Sequence, residues 1–154
     1  MTIELRPAID ADALDVATVL MASRDVYLPF APMAHTGAEV RAWVREVLLP
    51  AGNVTVACED ARIVGVLATS IEGGIAWIEQ LYLMPGWTGR GIGARLLAHA
   101  LASLRRPIRL YTFQANEGAR AFYERHGFVA IAFTDGAGNE ERCPDVLYEL
   151  TDGQ

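Results

Sequence analysis

Three glycines at every second position, Gly89, Gly91 and Gly93, stand between a strand-like run ending in Leu83-Met84-Pro85 and an amphipathic run from Arg95 to Leu104. Glycine tolerates positive φ and lets a ligand reach the backbone with no Cβ in the way. The first N–H groups of a helix have no intrahelical acceptor, so this spacing predicts a cradle for an anion, a phosphate above all. A nucleoside triphosphate loop requires Gly-Lys-Ser/Thr so that an ammonium reaches the β- and γ-phosphates. All 13 basic residues here are arginine, which excludes that loop. A dinucleotide fingerprint is imitated more closely, by Gly89-x-Gly91-x-x-Ala94, but it needs an acid about 20 residues further on to hold a ribose hydroxyl. No acid lies between Arg95 and Asn116.

A third cradle is supported by a second motif. The loop Thr88-Gly89-Arg90-Gly91-Ile92-Gly93 follows Leu81-Tyr82-Leu83-Met84-Pro85. About 30 residues on comes Asn116-x-x-Ala119-x-x-Phe122-Tyr123-Glu124-x-x-Gly127-Phe128. In this order the segment from Glu79 to Phe128 resembles the GCN5-related N-acetyltransferase (GNAT) family, whose loop reads Gln/Arg-x-x-Gly-x-Gly/Ala. Thr88 departs from that pattern, which should weaken the phosphate site without abolishing it, because the loop binds mainly through backbone N–H groups.

The resemblance implies acetyl-CoA as cofactor, its coenzyme A pyrophosphate held by Thr88, Gly89, Arg90, Gly91, Ile92, Gly93 and Ala94. It also implies that the backbone of Leu81, Tyr82 and Leu83 pairs with the pantetheine arm, with a backbone N–H near Leu81 or Tyr82 polarising the acyl carbonyl. Tyr123 aligns with the family's general acid for the leaving thiolate, and Asn116 opens the helix before it and touches the cofactor. Packing beside Phe122 and Phe128 is the alternative role for Tyr123. Glu79 is the candidate base: an acid among apolar strand neighbours has a raised pKa, useful for taking a proton from an ammonium. A solvated carboxylate or an ordered water is the alternative. Strand alternation would put Trp77, Glu79, Leu81 and Leu83 on one face and Ile78, Gln80 and Tyr82 on the other. The acceptor pocket is expected along Tyr27, Phe30 and His35, with Gln80. The implied activity is direct acetyl transfer to a primary amine of a small molecule or an amino terminus. The rival is a non-catalytic acyl-CoA-binding sensor, toward which Thr88 leans and away from which Tyr123 leans.

The elements that must position these groups can be read along the chain. Ile3 to Arg6 alternates as a strand, Asp10 is placed to cap a helix reaching about Ser23, and Thr36 to cap a second one ended by Pro50 and Gly52. Val54 to Glu59, Ile63 to Ile71 and Ala76 to Leu83 read as a strand meander. After the glycine helix follow strand Ile108 to Phe113, helix Glu117 to His126, strand Phe128 to Phe133 and strand Val146 to Leu150. This α+β order, as one domain over 1–154, resembles the GNAT fold: a mixed, mostly antiparallel central sheet of about six to seven strands flanked by about four helices.

Composition agrees. The chain has 154 residues, 52% of them hydrophobic, enough for one sizeable core. The start lacks a cationic segment followed by an apolar one and no apolar run reaches membrane-spanning length, so a cytoplasmic protein without a membrane partner is expected. The net charge of −6 argues against nucleic acid. The charge is unevenly spread: residues 90–125 carry 7 Arg against 2 acids, whereas residues 1–89 carry 5 against 11 and residues 126–154 carry 1 against 6. A basic patch suits a phosphorylated cofactor and an acidic remainder an amine, although Arg95, Arg105 and Arg106 would also serve as ordinary helix-surface charges. Cys58 and Cys143 are unclustered, so no metal site and no disulfide framework are expected, and a homodimer is left open.

Overall fold

The computed structural model describes residues 2–27 and 35–152, with the backbone alone for residues 25–27. Seven strands form one mixed sheet in the order β1-β2-β3-β4-β5-β7-β6. β1 (Ile3–Pro7), β2 (Val54–Glu59), β3 (Arg62–Glu72) and β4 (Ile75–Leu83) pair antiparallel in succession. β5 (Ile108–Phe113) runs parallel to β4, and β7 (Asp145–Leu150) pairs antiparallel with both β5 and the edge strand β6 (Val129–Phe133). On one face lie α1 (Ala13–Tyr27) and a rod made of α2 (Gly37–Trp43), a π-type turn (Val44–Leu48) and α3 (Leu49–Ala51). On the other lie α4 (Ile92–Ser103) and α5 (Glu117–Arg125). The sheet thus separates two apolar cores, Val16, Val19, Val44, Val56 and Val66 on the first face and Leu67, Leu96, Leu97, Leu110 and Tyr148 on the second. Among the described residues no helix is long and apolar enough to cross a membrane.

Local chemistry explains the helix starts. Thr36 opens α2 through a capping box, its Oγ1 accepting from the Glu39 N–H at 3.2 Å while Glu39 accepts from the Thr36 N–H at 2.9 Å. Ahead of α1 the expected cap, Asp10, is instead the first residue of a 3-10 turn (Asp10–Asp12) whose N-cap position is Ile9, and Asp12, the third residue of that turn, reaches back to it. The Asp12 carboxylate accepts from the Ile9 N–H at 2.8 Å and is forked by the Arg6 guanidinium at 2.8 and 3.0 Å, which draws it inward and ties β1 to the helix. At Gly65 a Cβ would lie 2.9 Å from Leu83 Cδ2 and 3.0 Å from Leu96 Cδ1, so glycine there lets α4 seat closely on β3 and β4.

Two irregularities in β4 shape the site. Ala68 pairs with Gln80 but Thr69 pairs with Ile78, so Glu79 is the extra residue of a β-bulge. A bulge inverts the alternation beyond it. Ala76 and Ile78 face the α4/α5 core before the bulge, Leu81 and Leu83 face it afterwards, and Tyr82 turns to the α1/α2 core. The single alternating face expected for Trp77, Glu79, Leu81 and Leu83 is therefore corrected. Pairing between β4 and β5 is confined to Ala76 with Ile108 and Trp77 with Arg109, beyond which the parallel strands splay.

Candidate active site

The splay between β4 and β5 opens the sheet, and α4 and α5 frame the gap. Gly89 and Gly91 take φ of 75° and 80°, the left-handed region that penalises a Cβ, and Gly91 is the residue immediately before α4. At both positions a Cβ would meet nothing within 4 Å, so internal packing does not require glycine. The left-handed turn does, and it leaves the N–H groups of Ile92, Gly93 and Ala94 at the start of a 12-residue helix with no acid in its first turn. This end of the molecule is built for an anion.

A cleft of about 660 Å³ runs from that cradle along β4 to α5. Of the residues assigned to the cofactor from the sequence, Leu81, Tyr82, Leu83, Thr88, Gly89, Gly91, Gly93, Ala94 and Asn116 line it. The Ile92 side chain, 1% exposed, belongs to the core and offers the site only its backbone. Arg90 lays its guanidinium 4.6 Å from the Trp87 ring centroid, outside the cleft lining. Phe122, Arg125 and His126 line the cleft although the sequence did not assign them to the cofactor, and His126, at the C-terminal end of α5, has Nδ1 2.8 Å from the Phe122 carbonyl oxygen. The arginine-rich segment is mostly committed to structure. Arg95 donates to the Ile3 carbonyl at 2.7 Å, Arg109 pairs with Glu149 at 2.7 Å, and Arg120 donates to the Tyr148 hydroxyl at 3.0 Å. Arg125 is the arginine of that segment that lines the cleft.

A second cavity of about 510 Å³ adjoins the first, and Leu81, Tyr82, Asn116, Ala119 and Tyr123 belong to both. Its other walls come from β5 and from the loop between β6 and β7, with Tyr111, Phe113, Glu79, Glu141 and Asp145 among them. The charged lining separates by sign. Arg125 faces the first cavity with no carboxylate, and Glu79, Glu141 and Asp145 face the second with no basic side chain.

Tyr123 stands at the junction. It is 8% exposed, its ring packed against Phe122, Phe128 and Tyr148 at centroid distances of 5.2, 5.7 and 6.3 Å. Among the described residues no hydrogen bond reaches its hydroxyl, while every fully enclosed side-chain N or O has a partner, so the hydroxyl opens onto the cavities. Burial pushes the phenol well above its ordinary value, with the neighbouring Tyr82 phenol adding to the rise. The Tyr82 phenol is raised as well, chiefly by burial. Asn116 caps α5, its Oδ1 accepting from the Ala119 N–H at 3.1 Å, and still lines both cavities.

Glu79 lies at the cavity edge, but it is exposed and accepts from Ser70 Oγ at 2.7 Å. The expected burial of Glu79 among apolar strand neighbours is corrected: at the bulge its side chain is exposed to solvent. A third cavity, sharing Glu79, Tyr82 and Glu141 with the second, holds Gln80, Arg24, His35, Glu39 and Glu140 at its walls. His35 is exposed, with Nε2 2.8 Å from Glu140, and that contact raises its pKa. Phe30 and the Tyr27 side chain lie outside the described residues.

The comparisons with known proteins agree with this geometry. The family model described as the Acetyltransferase (GNAT) family matches residues 20–128. A search among curated proteins finds no significant match. Similar solved structures include PaiA N-acetyltransferase from Thermoplasma acidophilum in complex with coenzyme A, 23% identical over 98% of this chain and 99% of that one, with a TM-score of 0.74. YjaB from Escherichia coli in its apo form is 22% identical over 97% and 98%, with a TM-score of 0.77. Arabidopsis thaliana Naa50 in complex with the bisubstrate analogue CoA-Ac-MVNAL is 20% identical over 98% and 99%, with a TM-score of 0.74. A seven-stranded mixed sheet split between β4 and β5, a left-handed glycine loop ahead of α4, and a family match over most of its length place this chain in the GNAT acetyltransferase family.

Proposed function

We propose that the protein moves an acetyl group from acetyl-CoA to a primary amine of a small molecule or an amino terminus by direct transfer. The observation that carries this reading is the junction at Tyr123 of two cavities with opposite charge, one suited to a phosphorylated cofactor and the other to an amine. Coenzyme A fits the first cavity. A pyrophosphate needs converging N–H donors and close access, and the left-handed turn at Gly89 and Gly91 supplies both. Solved structures of two similar proteins, one with coenzyme A and one with a CoA-bearing analogue, support that class of cofactor.

Acetyl-CoA, when bound, supplies a thioester carbonyl open to attack by a neutral amine. Beyond Trp77 the edge of β4 that faces β5 has no ladder partner, while the other edge stays paired with β3, so the outward amide groups are available to an amide-bearing arm. An N–H near Leu81 or Tyr82 is then positioned to stabilise the developing oxyanion. Tyr123, kept protonated by burial, donates to the departing thiolate. Glu79 takes the proton that the ammonium must lose, directly or through a water. The test is release of free thiol from acetyl-CoA across a panel of amines. Amine-dependent release is expected, and coenzyme A binding without release for any amine would favour the sensor reading.

A further inference from the structure

The cavity beyond Tyr123 is more acidic than its reaction needs. An attacking amine must be neutral, and a carboxylate close to it favours the protonated form that cannot attack. One carboxylate is useful as a proton acceptor, a role assigned above to Glu79. Glu141 is answered by Arg24 at 3.9 Å. Asp145 has no such answer: it is 8% exposed, lines the cavity, and accepts from two neutral donors, Thr134 Oγ1 and Asn139 Nδ2 at 3.1 Å, with no cationic partner among the described residues. An ionised carboxylate has room for about four hydrogen bonds, and a buried anion without a counter-ion carries a desolvation penalty that a cationic ligand would offset. Two aromatic rings, Tyr111 and Phe113, share the cavity, and aromatic faces also attract cations. Independently of the acids, the nine-tenths buried Tyr123, whose hydroxyl has no hydrogen-bond partner among the described residues, opens onto the same space and marks it as a place for a ligand.

We infer that the acceptor is a diamine, with one nitrogen acetylated beside Tyr123 and a second, permanently protonated nitrogen seated on Asp145. This rests on the acetyltransferase reading and deepens it: the second charge is not consumed in the reaction, so it is the one that Asp145 can hold throughout. Amines carrying a carboxylate of their own meet like charge in the cavity and are poor acceptors.

The test compares 1,4-diaminobutane with butylamine, and longer pairs of equal chain length, by thiol release and by calorimetric titration. The expected result is a kcat/KM at least about tenfold higher for each diamine, with the difference mainly in KM, equivalent to about 1.4 kcal/mol. Asp145→Asn should bring the diamine-to-monoamine ratio toward one. Glu141→Gln, which leaves the Thr134 and Asn139 contacts of Asp145 in place, should leave a clear preference. Equal kcat/KM for diamine and monoamine in the wild-type protein overturns the inference whatever the variants do, and leaves the acetyltransferase reading standing. If no amine releases thiol, that reading fails instead. Tighter calorimetric binding of 1,4-diaminobutane than of butylamine, lost in Asp145→Asn, then still supports the diamine site, and equal or absent binding overturns it.

Discussion

Tyr123→Phe separates chemistry from folding unusually well in this protein. The ring is packed on three sides by Phe122, Phe128 and Tyr148, yet the hydroxyl has no hydrogen-bond partner among the described residues. Removing the oxygen keeps the packing and forfeits no internal hydrogen bond. The melting temperature should therefore stay the same or rise slightly, with any stability change within about 1 kcal/mol. If Tyr123 is the proton donor, kcat should nevertheless fall about 10- to 1000-fold, or about 1.4 to 4 kcal/mol of barrier. Coenzyme A affinity should be nearly unchanged. The pKa gives a second readout. Because burial raises the phenol in the folded state, unfolding releases its proton more readily. Stability should then decline as pH rises past the ordinary tyrosine value near 10, and less steeply in the variant. Stopped-time thiol release and thermal melts across pH on the two proteins decide the matter. A wild-type kcat in a folded Tyr123→Phe protein would return the residue to a packing role, and a large loss of stability would contradict the open hydroxyl.

Gly91→Asp should weaken coenzyme A binding at least tenfold by calorimetry, because it combines about 1–2 kcal/mol of left-handed strain with a negative charge at the mouth of the cradle; unchanged affinity in a folded variant would remove the phosphate from this loop. Glu79→Gln should lower kcat/KM by roughly 10- to 100-fold for amines of high pKa and least for amines already neutral at the assay pH; a uniform loss would make Glu79 a binding group. Asp12→Asn should destabilise the fold by about 2 kcal/mol in denaturant titration, through loss of the Arg6 pair and weakening of the cap on Ile9. Since the Arg6 hydrogen bond holds the Asp12 carboxyl below its ordinary range, the stability it supplies is present above about pH 4 and fades as pH falls through the folded value, so the variant should show a flatter acid limb.

What could be read from the sequence was what depends on neighbours in sequence. The glycine loop is legible because a left-handed turn and an open helix start are properties of a few consecutive residues, and the Thr36 and Asn116 caps were legible for the same reason. The start before α1 was less legible: the helical turn already begins at Asp10, the N-cap position falls on Ile9, and the acid that reaches back to it, Asp12, is held by Arg6, a partner on β1. The acid-lined cavity was the least legible part. Asp145 lies just before the strand expected over Val146 to Leu150, and only the fold brings it together with Glu79 and Glu141 from separate elements. The arginine-rich segment misled in the opposite direction, since most of its charges hold the framework rather than a ligand.

The bulge at Glu79 is the step that local pattern could least reveal and that most shapes the site. A bulge is a mismatch between two strands, so it leaves no mark in the alternation of either one taken alone. Without it, Leu81 would share a face with Trp77, and Tyr82 would share the α4/α5 core with Ile78. With it, Leu81 and Leu83 pack beneath α4, Tyr82 projects to the other side, and β4 parts from β5 just before this change. The glycine-loop cleft and the acid-lined cavity meet along this stretch, with Leu81, Tyr82 and Tyr123 lining both. The placement of Glu79 outside the core follows from the same cause. The extra residue of the bulge has no backbone ladder partner on β3, and its side chain meets the Ser70 hydroxyl of that strand and solvent at the edge of the acid-lined cavity. A base there can exchange its proton with bulk water after each turnover, which a carboxylate sealed among apolar side chains could not do.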